Sequence, residues 1–199
     1  MGLRPCQVVW IGDSITAGNH VNPGECYPEL VAAQLPSIVS NNIAVPSAFL
    51  TGSTQVQAAQ NLYDASKLNI CCLMFGANDG QSTNSTGFIA TQSAACSSLH
   101  TTGFKVVVLS MLPCGSYASS GFREGINALD RTTSTMYDVL VDVGHSTSVM
   151  GIESAKNDST LYSDGVHPTA AGNLLLEPYI TPVIRALAKF PSAGFGRRF

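Results

Sequence analysis

Four short stretches of this 199-residue chain hold residue types that could do chemistry: Gly12-Asp13-Ser14, Gly52, Gly76-Ala77-Asn78-Asp79 and Asp164-Gly165-Val166-His167-Pro168. A serine hydroxyl is a poor nucleophile until a base takes its proton. That base is usually a histidine held in orientation by an acid. The chain has four histidines. His20 sits in a loop six residues after Ser14 with no acid close in sequence. His100 closes a predicted helix, where a positive side chain suits the dipole. His145 falls in a polar loop after a strand. His167 has an acid three residues earlier, a glycine between and, alone among the four, a proline after it. That spacing makes a tight turn able to present Asp164 and His167 together. Taken alone it reads as an ordinary turn before a helix. Taken with Ser14, it points to acyl transfer.

The elements that must position these residues follow from apolar patterning. Gln7–Ile11 is a short apolar strand running straight into Gly12-Asp13-Ser14, which places Ser14 at its carboxyl end, the ligand-binding edge of an open α/β sheet. Further strands are expected at Ile38–Val45, Leu68–Phe75, Lys105–Met111 and Val139–Val143. The third of the five is continuously apolar and so buried on both faces. Helices are expected at Tyr27–Leu35, Gln55–Tyr63, Phe88–Leu99, Phe122–Met136 and Pro168–Lys189, the last with a kink or break at Pro178 and Pro182. This alternation, at 25 to 35 residues per unit, predicts a parallel sheet with helices on both faces. One domain is expected, with its core over about 6–189 and a glycine-rich tail at 190–199.

Composition excludes several classes. The hydrophobic fraction is 45%, the charged fraction 12% and the net charge −3. The ten Lys and Arg are scattered apart from Arg197-Arg198, so nucleic acid is not an expected partner. No apolar run approaches the ~18 residues of a membrane span. The first strand begins too early to leave room for a signal peptide, so the expectation is a soluble protein, cytoplasmic or the mature form of a secreted one. None of the six cysteines forms a C-x-x-C pair or has histidine at ligand spacing, so no metal site is expected. Cys71 and Cys72 read as small core residues. One or two disulfides among Cys26, Cys96 and Cys114 stay open.

With these blocks in place, the sequence resembles the SGNH hydrolases, the GDSL family of esterases and lipases, named for one Ser, Gly, Asn and His in four separate blocks. Here they are Ser14 in Gly-Asp-Ser, Gly52, Asn78 in Gly-Ala-Asn-Asp and His167 in Asp-Gly-Val-His-Pro, in the family's order and spacing over residues 7–188. Ile15 replaces the usual leucine of the first block. The resemblance implies a flavodoxin-like, three-layer α/β/α sandwich on a five-stranded parallel sheet. It implies Ser14 as nucleophile, His167 as base and then acid, and Asp164 as the acid orienting His167. The oxyanion hole would be the N–H groups of Ser14 and Gly52 with the side-chain amide of Asn78. Fixed donors of this kind stabilise the charge on a tetrahedral intermediate. Asp13 and Asp79 read as supports, because a carboxylate near the oxyanion would oppose the chemistry. No metal or organic cofactor is implied. The expected substrate is a small-molecule ester with a short acyl chain, an O-acetylated saccharide being the alternative. The flanking loops are small and polar, which disfavours long acyl chains.

Two other readings compete. A nucleotide- or flavin-binding domain would need a phosphate loop after the first strand, and Gly12–Gly18 is neither G-x-G-x-x-G nor a P-loop. A catalytically inactive carbohydrate-binding or interaction module would have no need of every catalytic residue type.

Overall fold

The computed structural model describes residues 5–115 and 120–189. Its elements, in chain order, are β1 (Cys6–Gly12), α1 (Ser14–Ala17), α2 (Tyr27–Gln34), β2 (Ile38–Asn42), α3 (Gln55–Asn61), β3 (Leu68–Met74), α4 (Ser85–Thr102), β4 (Lys105–Leu109), α5 (Ser120–Thr132), β5 (Val139–Val141) and α6 (Ala170–Lys189). The five strands form one parallel sheet in the order β2-β1-β3-β4-β5. This is the expected α/β architecture, with helices packed on the sheet. The tail 190–199, with Arg197-Arg198, lies outside the described residues, as do residues 116–119.

The apolar runs account for the centre of the sheet. Every residue of β1 and β3 is buried. The two strands pair in register from Cys6 with Leu68 to Gly12 with Met74. The chain leaves β1 for one edge of the sheet and returns through β3 towards the other. The carboxyl ends of β1 and β3 therefore flank the crevice where open α/β sheets bind ligands. Trp10 is fully buried, edge-on to Tyr27 at 5.7 Å, and its Nε1–H donates to Ser40 Oγ at 2.9 Å.

The helices differ from expectation at their ends. A single-turn helix, α1, follows Asp13 directly. β2 stops at Asn42 rather than Val45 because the chain turns to follow the end of β1: Asn42 Nδ2 donates to Thr16 O at 2.8 Å and Val45 N to Gly12 O at 3.1 Å. α4 begins at Ser85, where Asn84 caps it by accepting from Gly87 N at 2.8 Å. α5 ends at Thr132 and β5 at Val141, both short of the expected limits.

α6 starts at Ala170 and runs unbroken to Lys189 through both prolines. Pro178 and Pro182 lie one turn apart on its exposed face, so the carbonyls they leave unpaired, at Leu174 and Pro178, open to water. Its buried stripe, Gly172, Leu176, Ile180, Ile184 and Ala188, is unaffected. Cys26 and Cys96 are thiols rather than half-cystines, and Cys26 Sγ donates to Glu29 Oε2 at 3.0 Å. Among the described residues no helix is long and apolar enough to cross a membrane.

Candidate active site

Gly12 ends β1 in a space that admits no side chain: a Cβ there would lie 2.2 Å from Thr16 Oγ1 and 2.6 Å from Met74 O. The Gln55 amide grips its peptide from the other side, donating to Gly12 O at 3.0 Å and accepting from Gly12 N at 2.9 Å. Asp13 then caps α1, its Oδ1 accepting from Ile15 N at 2.9 Å. The strand end is thus clamped on both sides, and the next residue, Ser14, is 9% exposed at the start of the helix.

The partner histidine arrives from 153 residues away. Gly165 takes φ +78°, the left-handed conformation that glycine tolerates best, and folds the chain back on itself. Asp164 Oδ1 accepts from the backbone N–H of Val166 (3.0 Å) and of His167 (2.8 Å), which locks the turn. Asp164 Oδ2 lies 2.7 Å from His167 Nδ1. An ionised carboxylate only accepts, so Nδ1 carries the proton and Nε2 is left to accept. Ser14 Oγ, 2.8 Å from Nε2, is the donor. Burial pushes the Asp164 carboxyl up, but the His167 N–H, the His167 ring and the Val166 N–H together outweigh it and hold it at about 2.

Asn78 follows β3 and faces the same small cavity, about 90 Å³, which is lined by Ser14, Asn19, Ser47, Ala77, Asn78, Val166 and His167. Asn78 Nδ2 donates one hydrogen to Ala48 O at 2.9 Å. An amide NH₂ has two. Ser47 in the cavity wall holds φ +62°, a conformation uncommon outside glycine and often found at functional sites. Gly52 lines a neighbouring cavity of about 260 Å³, with Val45, Ala48, Phe49 and Gln55 among its walls, and is not part of the lining around Ser14.

The two expected supports are both buried. Asp79 accepts from Leu50 N at 3.0 Å and Thr51 N at 3.5 Å, fastening the loop that leads to Gly52. Burial pushes its carboxyl up against the pull of those two N–H groups. Burial raises Asp13 further, to about 7, assisted by the charge of Asp79 and opposed by the Ile15 N–H. Below about pH 7 Asp13 is therefore mostly neutral, which lessens the electrostatic objection to an acid beside Ser14.

The structure therefore brings Ser14, His167 and Asp164 into one hydrogen-bonded chain and adds Asn78 to the same cavity. The residue missed from sequence is His20. Its ring stacks on His167 with centroids 4.4 Å apart and planes 25° from parallel. The signal was invisible because the contact spans most of the chain. His20, Asp164 and His167 place ligand-type atoms within 4.8 Å of one another. A metal sits in the plane of each imidazole it binds, and two stacked, near-parallel rings do not share such a point. The His167 Nδ1 position is also occupied by its proton to Asp164.

Comparison with known proteins places these observations in a family. No curated protein matches the chain in sequence. Solved structures match its fold. One is a member of the lipolytic G-D-S-L family from Veillonella parvula, 20% identical, covering 89% of this chain and 97% of that one at a TM-score of 0.74. Another is a psychrotrophic esterase from Pseudoalteromonas sp., 15% identical, with coverages of 90% and 97% and a TM-score of 0.69. A third is an acetylxylan esterase from Geobacillus stearothermophilus, 17% identical, with coverages of 92% and 96% and a TM-score of 0.65. The model of the GDSL-like lipase/acylhydrolase family matches residues 10–175, a span that holds Ser14, Asn78, Asp164 and His167. The chain belongs to the GDSL-like lipase/acylhydrolase family.

Proposed function

We propose that the protein is a serine esterase that hydrolyses short-chain acyl esters through an acyl-Ser14 intermediate. The observation that carries this is the continuous relay from Ser14 Oγ to His167 Nε2 (2.8 Å) and from His167 Nδ1 to Asp164 Oδ2 (2.7 Å). Ser14 Oγ attacks the ester carbonyl carbon as its proton passes to Nε2. Asp164 holds the Nδ1–H tautomer and stabilises the imidazolium. The tetrahedral intermediate collapses, the carbon–oxygen bond to the alcohol breaks, and the leaving oxygen takes the proton from Nε2. Water then attacks the acyl group by the same route, with His167 as base, and releases the acid and free Ser14. The oxyanion donors are the Ser14 N–H and the free hydrogen of the Asn78 amide. Gly52 N–H is the third by family resemblance, and it would have to reach across from the neighbouring cavity.

The cavity supports a short acyl group. At about 90 Å³ it is the smaller of the two neighbouring cavities, and its size favours a short acyl chain over a long one. A second reading, removal of acetyl groups from carbohydrates, is favoured by the polar wall of Asn19 and Ser47. It is consistent with the acetylxylan esterase among the similar structures.

Hydrolysis of p-nitrophenyl esters from acetyl to palmitoyl, with Ser14→Ala as control, tests the proposal. The expected result is a serine-dependent rate highest at two to four carbons. A rate that survives Ser14→Ala refutes the mechanism, and a maximum at eight carbons or more refutes the acyl assignment. A serine-directed covalent probe that fails to label Ser14, together with no hydrolysis at any length, leaves the inactive-module reading.

A further inference from the structure

His20 takes no part in the mechanism just given, yet the chain holds it in a costly conformation over the site. Its backbone has φ +69°, the left-handed region that a non-glycine residue rarely occupies. The ring so placed lies face to face with His167 at 4.4 Å. Its Nδ1 is 3.0 Å from Ser163 Oγ and 3.7 Å from Asp164 Oδ2. Ser163 Oγ donates its own hydrogen to His167 O at 3.2 Å, so it accepts from His20 Nδ1–H. Backbone strain, ring stack and hydrogen bond all act on one side chain, and that side chain touches both the base and its acid.

We propose that His20 is a positioning residue for the reaction, covering one face of the His167 ring and stabilising its imidazolium form. The inference rests on the Ser14–His167–Asp164 reading above. Both hydrogen bonds of His167 lie in the plane of its ring, and neither resists rotation out of that plane strongly. A second ring stacked on the face does. When Ser14 gives up its proton, the positive charge that forms on His167 meets the π-face of a neutral His20. If His20 is itself protonated, the same 4.4 Å separation sets two like charges against each other, and imidazolium formation becomes harder.

The titratable groups that meet His20 from the turn before α6 are Asp164 and His167. On its own loop, the Glu25 carboxylate is taken up by Asn22 N at 2.9 Å and Asn22 Nδ2 at 3.1 Å.

The test is steady-state hydrolysis of p-nitrophenyl acetate across roughly pH 5 to 9, comparing wild type, His20→Gly, His20→Phe and Ser14→Ala. Glycine accepts φ +69° without strain, so any loss in His20→Gly reports the ring and not the backbone. The expected kcat of His20→Gly at pH 8 is lower by about tenfold, with KM changed less than about twofold. His20→Phe restores the stacked ring and recovers kcat to within about threefold. If His20→Gly keeps the wild-type kcat, or His20→Phe recovers none of its loss, while Ser14→Ala is inactive, the role of His20 is refuted and the serine mechanism stands. If Ser14→Ala hydrolyses at the wild-type rate, both fall together.

Discussion

Replacing Asp13 by Asn is expected to change how stability depends on pH, by an amount that follows from the surroundings of this one carboxyl. Asp13 is 1% exposed, and burial lifts its titration from the ordinary 3.8 to about 7. In the unfolded chain the group ionises near its ordinary value. Between about pH 4 and 7 the folded protein therefore binds one proton more than the unfolded one, and stability falls as pH rises through that window. The contribution is fully present below about pH 4 and lost above about pH 7. At about 1.4 kcal/mol for each tenfold change in acidity, the rise amounts to about 4 kcal/mol. Asn has no proton to lose, and its side-chain oxygen can still accept from Ile15 N to cap α1.

Urea unfolding of both proteins at several pH values and constant ionic strength provides the measurement. The stability of Asp13→Asn relative to wild type should rise by about 4 kcal/mol between pH 4 and pH 8. Other acids, such as Asp64 and Asp138, which lie below their ordinary values, are present in both proteins and cancel in the difference. The repulsion between Asp13 and Asp79 is already part of the Asp13 shift and adds nothing further. A difference that stays constant within about 1 kcal/mol from pH 4 to 8 would refute the reasoning, since it would mean that Asp13 does not titrate where its burial says it must.

Other outcomes follow from the same geometry. Asn78→Ala should lower kcat ~10²–10³-fold with little change in KM, because the amide serves the transition state more than the bound ester. His167→Ala should abolish turnover while leaving the unfolding midpoint near that of wild type. Asp164→Asn should cost less than loss of the serine, since Asn can still accept from His167 Nδ1–H, though it supplies no charge. Asp164 stays ionised down to about pH 2, so a rate loss between pH 4 and 7 that follows protonation of Asp164 would contradict its place in the relay. Arg123→Ala should destabilise the fold by about 1–3 kcal/mol in chemical unfolding, chiefly through the buried carbonyl that loses its donor. Its guanidinium is 3% exposed, pairs with Glu153 at 3.0 Å and donates to Gly151 O at 3.1 Å.

The sequence made legible whatever depends on local pattern. The apolar runs of β1 and β3, the serine at the strand end, the Asp-Gly turn before His167 and the asparagine after β3 all appear where patterning and the family blocks put them. What was not legible depends on contacts across the chain. The end of β2 is set by Asn42 reaching Thr16 O, and no local signal announces that partner. The prolines of α6 are harmless because both face solvent, and that is known only once the helix has docked. His20 has no acid near it in sequence, and its partners, Ser163, Asp164 and His167, come from more than 140 residues away. Gly52 is expected in the oxyanion hole from the family block alone. Proximity to Gly-Ser-Thr chemistry does not say which of two adjoining cavities its N–H faces.

The long reach between Ser14 and His167 has a consequence for biosynthesis. The two residues are 153 positions apart, and the segments that carry them are stitched together by Asn173, which accepts from Tyr27 N at 2.9 Å and donates to Pro168 O at 3.2 Å. In the mechanism proposed above, a growing polypeptide that has produced the sheet through β5 still lacks its base, so it holds a serine with nothing to activate it. Hydrolysis by that route becomes possible only once the turn carrying His167 has emerged and α6 has docked beside α2. Serine-dependent ester turnover during translation would then time that docking, and a nascent chain stalled before it cannot cleave an ester by this route.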